Sequence, residues 1–146
     1  MQEFPHHYRV VADGGKNGNL VLRSDGIPDL ESAPPTEFGG PGDQWSPETL
    51  LVAAIADCFI LSFRAVARVA RIEWDRLSCE VDGTLEKVDR VTQFTGFRVE
   101  ATLWLPAGSD AGKAEKLLHK ADKVCLITNS MKAESRLETV VRVAAD

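Results

Sequence analysis

The sequence is poor in cysteine and has no excess of basic residues. It contains three cysteines in 146 residues, and no two of them form a Cys-x-x-Cys pair. A small, odd number of cysteines argues against a disulfide framework and favours a reducing compartment, so we expect a cytoplasmic protein. The formal net charge is −5 and there is no basic tract, which argues against a nucleic-acid partner.

Signals for secretion, membranes, metals and nucleotides are also scarce. Residues 1–11 have no apolar segment after a basic start, so we expect no signal peptide. The longest uninterrupted apolar run, residues 50–56, is too short to span a bilayer, and no membrane partner is expected. The histidines share no ligand spacing with the cysteines, and no glycine-rich loop links a strand to a helix. We therefore expect neither a metal nor a bound cofactor.

The most distinctive segment is a predicted helix over residues 46–70. Ser46 is a good N-cap, Pro47 suits the first turn, and Glu48 lies at the positive end of the helix dipole. From residue 50 to 63 almost every direction around the helix is apolar, which is typical of a buried helix. A narrow polar stripe interrupts this pattern and can reach solvent or a partner: Asp57, Arg64, Arg68 and Arg71.

A chain of this length has few other residues with which to bury the apolar surface of that helix. With 44% hydrophobic and 27% charged residues, the sequence is typical of a soluble globular domain, here a single one over 1–146. A monomer of this length cannot easily cover a helix that is apolar on nearly all sides. We therefore predict an obligate homodimer.

The rest of the chain predicts an α+β arrangement. Turn residues between β-prone runs indicate an N-terminal hairpin over 7–24. Alternating apolar residues predict further strands, and Asp110 is predicted to cap an amphipathic helix. This order is typical of helices that cover an antiparallel sheet. The predicted C-terminal part, 76–145, comprises strands at 77–86 and 97–105 with a turn at 89–93, a short helix at 129–134 and a last strand at 137–144.

Two cysteines are candidate nucleophiles, and each has a plain structural alternative. Cys58 lies in the middle of the apolar helix, and Cys125 lies near the end of the amphipathic one. A buried free cysteine is most often a small apolar filler, so both can be packing residues. Cys79 points to the apolar face of its strand and is interpreted as structural. The spacing alone leaves open whether Cys58 and Cys125 meet.

Two motifs resemble the signature of the OsmC/Ohr family, which comprises osmotically inducible protein C and organic hydroperoxide resistance proteins. Residues 39–59, GGPGDQWSPETLLVAAIADCF, resemble its glycine-rich loop, its Pro-Glu helix start and its small-residue helix with Cys-Phe. Residues 125–130, CLITNS, resemble its cysteine at the start of a late helix. The N-terminal turns at 14–18 and 24–26 are similar to the family's hairpin, so the resemblance covers nearly the whole chain.

The resemblance implies a fold, an assembly and an activity. The fold is α+β, with antiparallel sheets packed around a long buried central helix in an intertwined homodimer whose active sites lie at the subunit interface. The activity is a thiol-dependent peroxidase that reduces organic hydroperoxides to alcohols. Cys58 would be the peroxidatic thiolate and become a sulfenic acid, which Cys125 would resolve as a disulfide. An external dithiol protein, of the dihydrolipoyl type in one branch of the family, would reduce that disulfide.

The chain departs from the family in the cation that stabilises the thiolate. The family uses an arginine held by the glutamate of the Pro-Glu motif, which is Glu48 here. In the hydroperoxide-resistance branch this arginine lies in the first hairpin turn, where this chain has Lys16. A lysine cannot make the bidentate contact with Glu48 that an arginine makes. Lys16 is the first candidate for the substitute and Arg23 the second.

Two other functions stay open at this point. The missing arginine favours a ligand-binding or structural dimer of the same fold that lacks peroxidase activity. A more distant alternative is a soluble dimeric interaction module in which the cysteines are only core residues. If the protein is a peroxidase, Phe59 and Phe63 near Cys58 predict a preference for apolar alkyl or aryl peroxides over hydrogen peroxide.

Overall fold

A computed structural model describes all residues from 1 to 146. The chain forms two compact units, Met1–Leu51 and Val52–Asp146, and each contains one three-stranded sheet. The expectation of one domain over 1–146 stays a prediction. The first unit contains β1 (Val11–Asp13), β2 (Leu20–Arg23), β3 (Leu30–Ser32) and the start of α1 (Pro47–Ala70); the second contains the rest of α1, β4 (Arg76–Val88), β5 (Val91–Leu105), α2 (Ala111–Val124), α3 (Leu126–Asn129) and β6 (Glu134–Val143).

The sheet of the first unit is an antiparallel meander in the order β1-β2-β3. The N-terminal hairpin predicted over 7–24 is present, but its first strand begins at Val11 and not at residue 7. Residues 7–10 are exposed and pair with no strand, so their β-prone side chains alone do not form one. Strand propensity is weak without a partner that supplies hydrogen bonds and packing.

The loop before α1 is ordered by a close backbone contact. Ala33 N–H donates to the Trp45 carbonyl at 2.8 Å, which joins the two ends of the loop. A Cβ atom at Gly40 would lie 1.6 Å from the Pro34 carbonyl oxygen, so only glycine fits at this position. The glycine-rich stretch thus has a structural purpose in fixing the start of α1.

The start of α1 is set by a local capping arrangement, as predicted. The Thr49 N–H donates to Ser46 Oγ at 3.1 Å, and the Ser46 N–H donates back to Thr49 Oγ1 at 2.8 Å. These reciprocal bonds form a capping box with threonine in the position usually held by glutamate or glutamine. The observed helix, Pro47–Ala70, agrees with the predicted one at both ends.

Only one face of α1 is buried in the single chain. The predicted polar stripe is exposed, as expected, but so are apolar side chains, including Leu61 at 50% and Val69 at 79%. By length and composition α1 is apolar enough to cross a membrane, because Asp57 is the sole charged residue between residues 50 and 63. This differs from the expectation that was based on its longest uninterrupted apolar run. The packed face identifies it instead as a core helix with further apolar surface to cover; its buried residues are Ile55, Phe59, Phe63, Val66 and Ala67.

The sheet of the second unit is mixed, which corrects the predicted antiparallel arrangement. Strands β4 and β5 are antiparallel, whereas β6 pairs with β5 in parallel. The reason is the connection: α2 crosses back over the sheet, and a helical crossover joins parallel strands. The predicted turn at 89–93 is also shorter, because Asp89 and Arg90 adopt positive φ values of 49° and 68°, as a two-residue hairpin requires.

The C-terminal helices differ partly from the prediction. Asp110 caps α2 as expected, since its Oδ1 accepts from the Lys113 N–H at 3.0 Å. The predicted short helix at 129–134 is wrong: α3 spans Leu126–Asn129, and β6 already begins at Glu134. Cys125 has an extended backbone conformation, which ends α2 and lets α3 begin at the next residue. The short helix therefore begins earlier in the chain than predicted.

Candidate functional site

The structure brings Cys58 and Cys125 together within the second unit. Cys58 is half-buried in the middle of α1, and Cys125 is 1% exposed at the junction of α2 and α3. The two thiols are close enough to affect each other: burial is the main cause that raises the pKa of Cys125, and Cys58 contributes to the same shift. The tertiary fold therefore brings the two candidate nucleophiles close together, which their spacing in the sequence did not predict.

Several neighbours determine the acidity of Cys125. Burial is the largest cause and raises the pKa of its thiol, because a buried thiolate loses its hydration. The hydroxyl and backbone N–H of Thr128 act in the opposite direction, and the nearby Cys58 raises the pKa further. Cys125 therefore keeps its proton near neutral pH and is a poor first nucleophile.

The backbone hydrogen bonds around Cys125 fix its place at the start of α3. Cys125 has φ −64° and ψ 104° and occupies the N-cap position of α3. Its carbonyl accepts from the Asn129 N–H at 3.0 Å and from Thr128 Oγ1 at 3.1 Å. These bonds hold the cysteine at the start of a late helix, as the family resemblance implies.

Ser62 is a neighbour of Cys58 that sequence reasoning missed. Ser62 Oγ lies 3.8 Å from Cys58 Sγ, one helical turn further along α1. The signal was available, because residues four positions apart on a helix are neighbours on its surface. A serine at this spacing from a candidate reactive cysteine could have been included in the predicted site.

Cys79 lies on β4 close enough to Cys125 to be affected by its charge. Burial is the main cause that raises the pKa of Cys79 to about 12, followed by the charges of Cys125 and Glu80. Such a thiol is almost entirely protonated near neutral pH, which agrees with a structural interpretation. No group of three or more His, Cys, Asp and Glu side chains is arranged to hold a metal ion.

We expect folding to slow the reaction of Cys79 with iodoacetamide strongly. At pH 8 its alkylation should be roughly a hundredfold or more slower than in the urea-unfolded chain, because alkylation requires the thiolate. Folding raises its pKa, so this protection should hold below pH 9 and disappear as the pH approaches about 12. Peptide mass spectrometry of labelled protein measures this, and equal rates in the folded and unfolded chain would contradict it.

The other predicted site residues belong to the first unit. Glu48 is half-buried, and its Oε2 is buried without a hydrogen-bond partner. Lys16 is exposed and forms no ion pair with Glu48 in the single chain, whereas Arg23 pairs with Asp13 at 3.6 Å and with Asp29 at 3.2 Å. Arg23 thus already has two carboxylate partners, so Lys16 remains the better candidate cation. Its role stays a prediction.

Comparison with known proteins gives consistent matches over most of the chain. Residues 40–140 match the family model described as OsmC-like protein. The chain is 31% identical over 122 residues to the organic hydroperoxide resistance protein of Xanthomonas axonopodis pv. citri, and the match covers 83% of each sequence. It is also 25% identical over 148 residues to an uncharacterized protein of Bacillus subtilis, covering 97% of this chain and 98% of the relative.

Solved structures share the fold. An organic hydroperoxide resistance protein of Legionella pneumophila matches with a TM-score of 0.75 and 30% identity, covering 97% of this chain and 100% of that one. An OsmC-like protein of unknown function from Vibrio cholerae matches with a TM-score of 0.83 at 18% identity, covering 93% and 100%, which shows the fold alone. These neighbours confirm the predicted α+β fold class.

Proposed function

The chain belongs to the OsmC-like protein family, and from this membership we propose that it is a thiol peroxidase that reduces organic hydroperoxides to alcohols. The observation that best supports the proposal is the pairing of Cys58 with Cys125 in one site. A relative with 31% identity is named an organic hydroperoxide resistance protein, which supports the same class of substrate. We also propose a reducing cytoplasmic compartment, because three cysteines are too few for a disulfide framework.

In the proposed first step, the Cys58 thiolate attacks the terminal oxygen of the hydroperoxide. An S–O bond forms while the O–O bond breaks, so sulfur is oxidised and the peroxide is reduced. The leaving alkoxide takes up a proton and departs as the alcohol. Cys58 is then a sulfenic acid.

In the proposed second step, Cys125 loses its proton and attacks the sulfur of Cys58. An S–S bond forms, the S–OH bond breaks, and the hydroxide leaves as water after protonation. The negative charge of Cys58 helps to raise the pKa of Cys125. Since a sulfenic acid carries no thiolate charge, this contribution to the pKa of Cys125 disappears once Cys58 is oxidised. An external dithiol protein then reduces the disulfide and becomes oxidised itself.

We also propose that the working form is a homodimer with its active sites at the subunit interface. The exposed apolar surface of α1, including Leu61 and Val69, supports this because a second copy of the helix would cover it. Few side chains of the first unit are buried, and aromatic residues such as Tyr8 and Trp45 are exposed in the single chain. The unpaired carboxylate oxygen of Glu48 is a further group that a dimer could satisfy.

The direct test is peroxide consumption by the purified protein with dihydrolipoamide as the reductant. We expect catalytic consumption of cumene or t-butyl hydroperoxide and slower consumption of hydrogen peroxide. Omission of the dithiol should limit the reaction to one peroxide per Cys58, because the disulfide is not reduced. A protein that consumes no hydroperoxide would instead support the non-peroxidatic alternative, which the replacement of arginine by Lys16 favours.

Lys16 is expected to support the thiolate with its positive charge. Lys16→Met should slow hydroperoxide turnover at pH 7 by about tenfold, which corresponds to a loss of about 1.4 kcal/mol of thiolate stabilisation. Lys16→Arg should speed turnover, because a guanidinium can pair with Glu48 through two parallel hydrogen bonds. Initial rates measure both, with Lys120→Met on the exposed face of α2 as the matched control. Unchanged rates in both Lys16 variants would make Lys16 a surface turn residue only.

A further inference from the structure

Ser62 has a hydrogen-bonding arrangement that is unusual for a serine inside a helix. Such a hydroxyl commonly donates back to the carbonyl of the residue four positions earlier. Here the residue four positions earlier is Cys58, and the partner of Ser62 Oγ is its sulfur, at 3.8 Å. Ser62 is half-buried, so the contact is partly shielded from water.

We propose that Ser62 is a positioning residue that donates a hydrogen bond to the Cys58 thiolate and so favours the reactive form. In the thiol state either atom can be the donor. After Cys58 loses its proton, only the hydroxyl has a hydrogen to donate, so the contact becomes charge-assisted. A hydrogen bond to the charged form of a group favours that form. The inference rests on the proposed function, since it concerns the thiol proposed to react.

Few other groups near Cys58 can donate a hydrogen bond to its thiolate. From the start of α3, the Cys125 thiol faces Cys58 and stays protonated because burial raises its pKa. Asp57, the preceding residue on α1, is exposed. In the second unit no basic side chain hydrogen-bonds to Cys58 Sγ. In this unit the hydrogen-bond partner of Cys58 Sγ is therefore Ser62, from its own helix.

Ser62 and Cys125 differ in whether they keep their protons during the proposed reaction. Cys125 gives up its proton when it attacks the sulfenic acid of Cys58. Ser62 keeps its hydroxyl proton throughout, because no step of the proposed reaction uses it. Ser62 is thus available whenever the thiolate is regenerated by the external dithiol.

The test is the pH profile of Cys58 alkylation by iodoacetamide, followed by peptide mass spectrometry on the full-length protein. Ser62→Ala should move the midpoint of the profile up by about one pH unit and slow alkylation at pH 7 roughly tenfold. Ser62→Thr keeps the hydroxyl and should restore the profile of the unsubstituted protein. Ser135→Ala, which removes a half-buried hydroxyl from β6, is the matched control and should change nothing.

Two results would overturn the proposal: an unchanged profile in Ser62→Ala, or a shifted profile that Ser62→Thr fails to restore. The second would assign the effect to packing and not to the hydroxyl. Hydroperoxide consumption is measured separately on the same samples. A shifted and restored profile in a protein that consumes no hydroperoxide supports the role of Ser62 while rejecting the peroxidase, whereas normal consumption with an unchanged profile rejects Ser62 alone.

Discussion

Cys58→Ser is expected to abolish hydroperoxide turnover, because a serine hydroxyl at neutral pH is a far weaker nucleophile than a thiolate. Cys125→Ser should behave differently. It leaves Cys58 able to react once, but no neighbouring thiol can then trap the sulfenic acid. Further peroxide should oxidise Cys58 to the sulfinic acid, which is not reduced by dithiols.

Intact-mass and peptide mass spectrometry after peroxide treatment distinguish these outcomes. The unsubstituted protein should contain a Cys58–Cys125 disulfide, and Cys125→Ser should gain the mass of two oxygen atoms on Cys58. Cys79→Ser is the control and should retain turnover, since burial raises the pKa of Cys79 to about 12 and leaves it unreactive. An unmodified Cys58 and no disulfide in the peroxide-treated unsubstituted protein would contradict the mechanism.

Leu61→Glu is expected to convert the proposed homodimer into monomers. Leu61 is 50% exposed in the single chain, so a glutamate there should change the stability of an isolated subunit by about 0.5 kcal/mol or less. At an interface between two α1 helices, the same glutamate would bury an unpaired charge, which costs far more. The variant therefore distinguishes a loss of folding stability in the subunit from a loss of dimer stability.

Light scattering at micromolar concentration measures the result. The unsubstituted protein should have the mass of a dimer, and Leu61→Glu should approach the mass of a monomer while it keeps its helical circular dichroism. Val143→Glu, at an exposed apolar residue near the end of β6, is the matched control and should remain dimeric. A monomeric mass for the unsubstituted protein would count decisively against the assembly.

Features that depend on neighbouring residues in the chain were predictable. The bounds of α1 follow from the capping bonds of Ser46 and Thr49 together with the apolar run that continues the helix. Asp110 likewise caps α2 with its own side chain. The alternating pattern from Phe97 to Leu105 identified β5, because every second side chain of a half-buried strand faces the core. The family signature could also be recognised, because each of its motifs lies within one continuous stretch of sequence.

Features that depend on distant residues were decided by the tertiary structure. Strand β6 runs parallel to β5 because α2 crosses back over the sheet before β6 begins, and no local pattern predicts this crossover. The ion pairs of Arg23 with Asp13 and Asp29 likewise depend on how the first sheet brings strands together. Local propensity predicts neither the strand direction nor the ion pairs, because both depend on packing and hydrogen bonding between distant parts of the chain.

The candidate site shows the same division between sequence and tertiary structure. The sequence by itself placed Cys58 inside an apolar helix and Cys125 near the end of an amphipathic one, and the family resemblance implied that Cys125 begins a late helix. Only the tertiary structure decided that Cys58 and Cys125 are neighbours and that Cys79 lies close to Cys125. The physical reason is that the reactivity of a thiol depends on the groups that surround it in space, and α1, β4 and the α2–α3 junction become neighbours only when the chain folds.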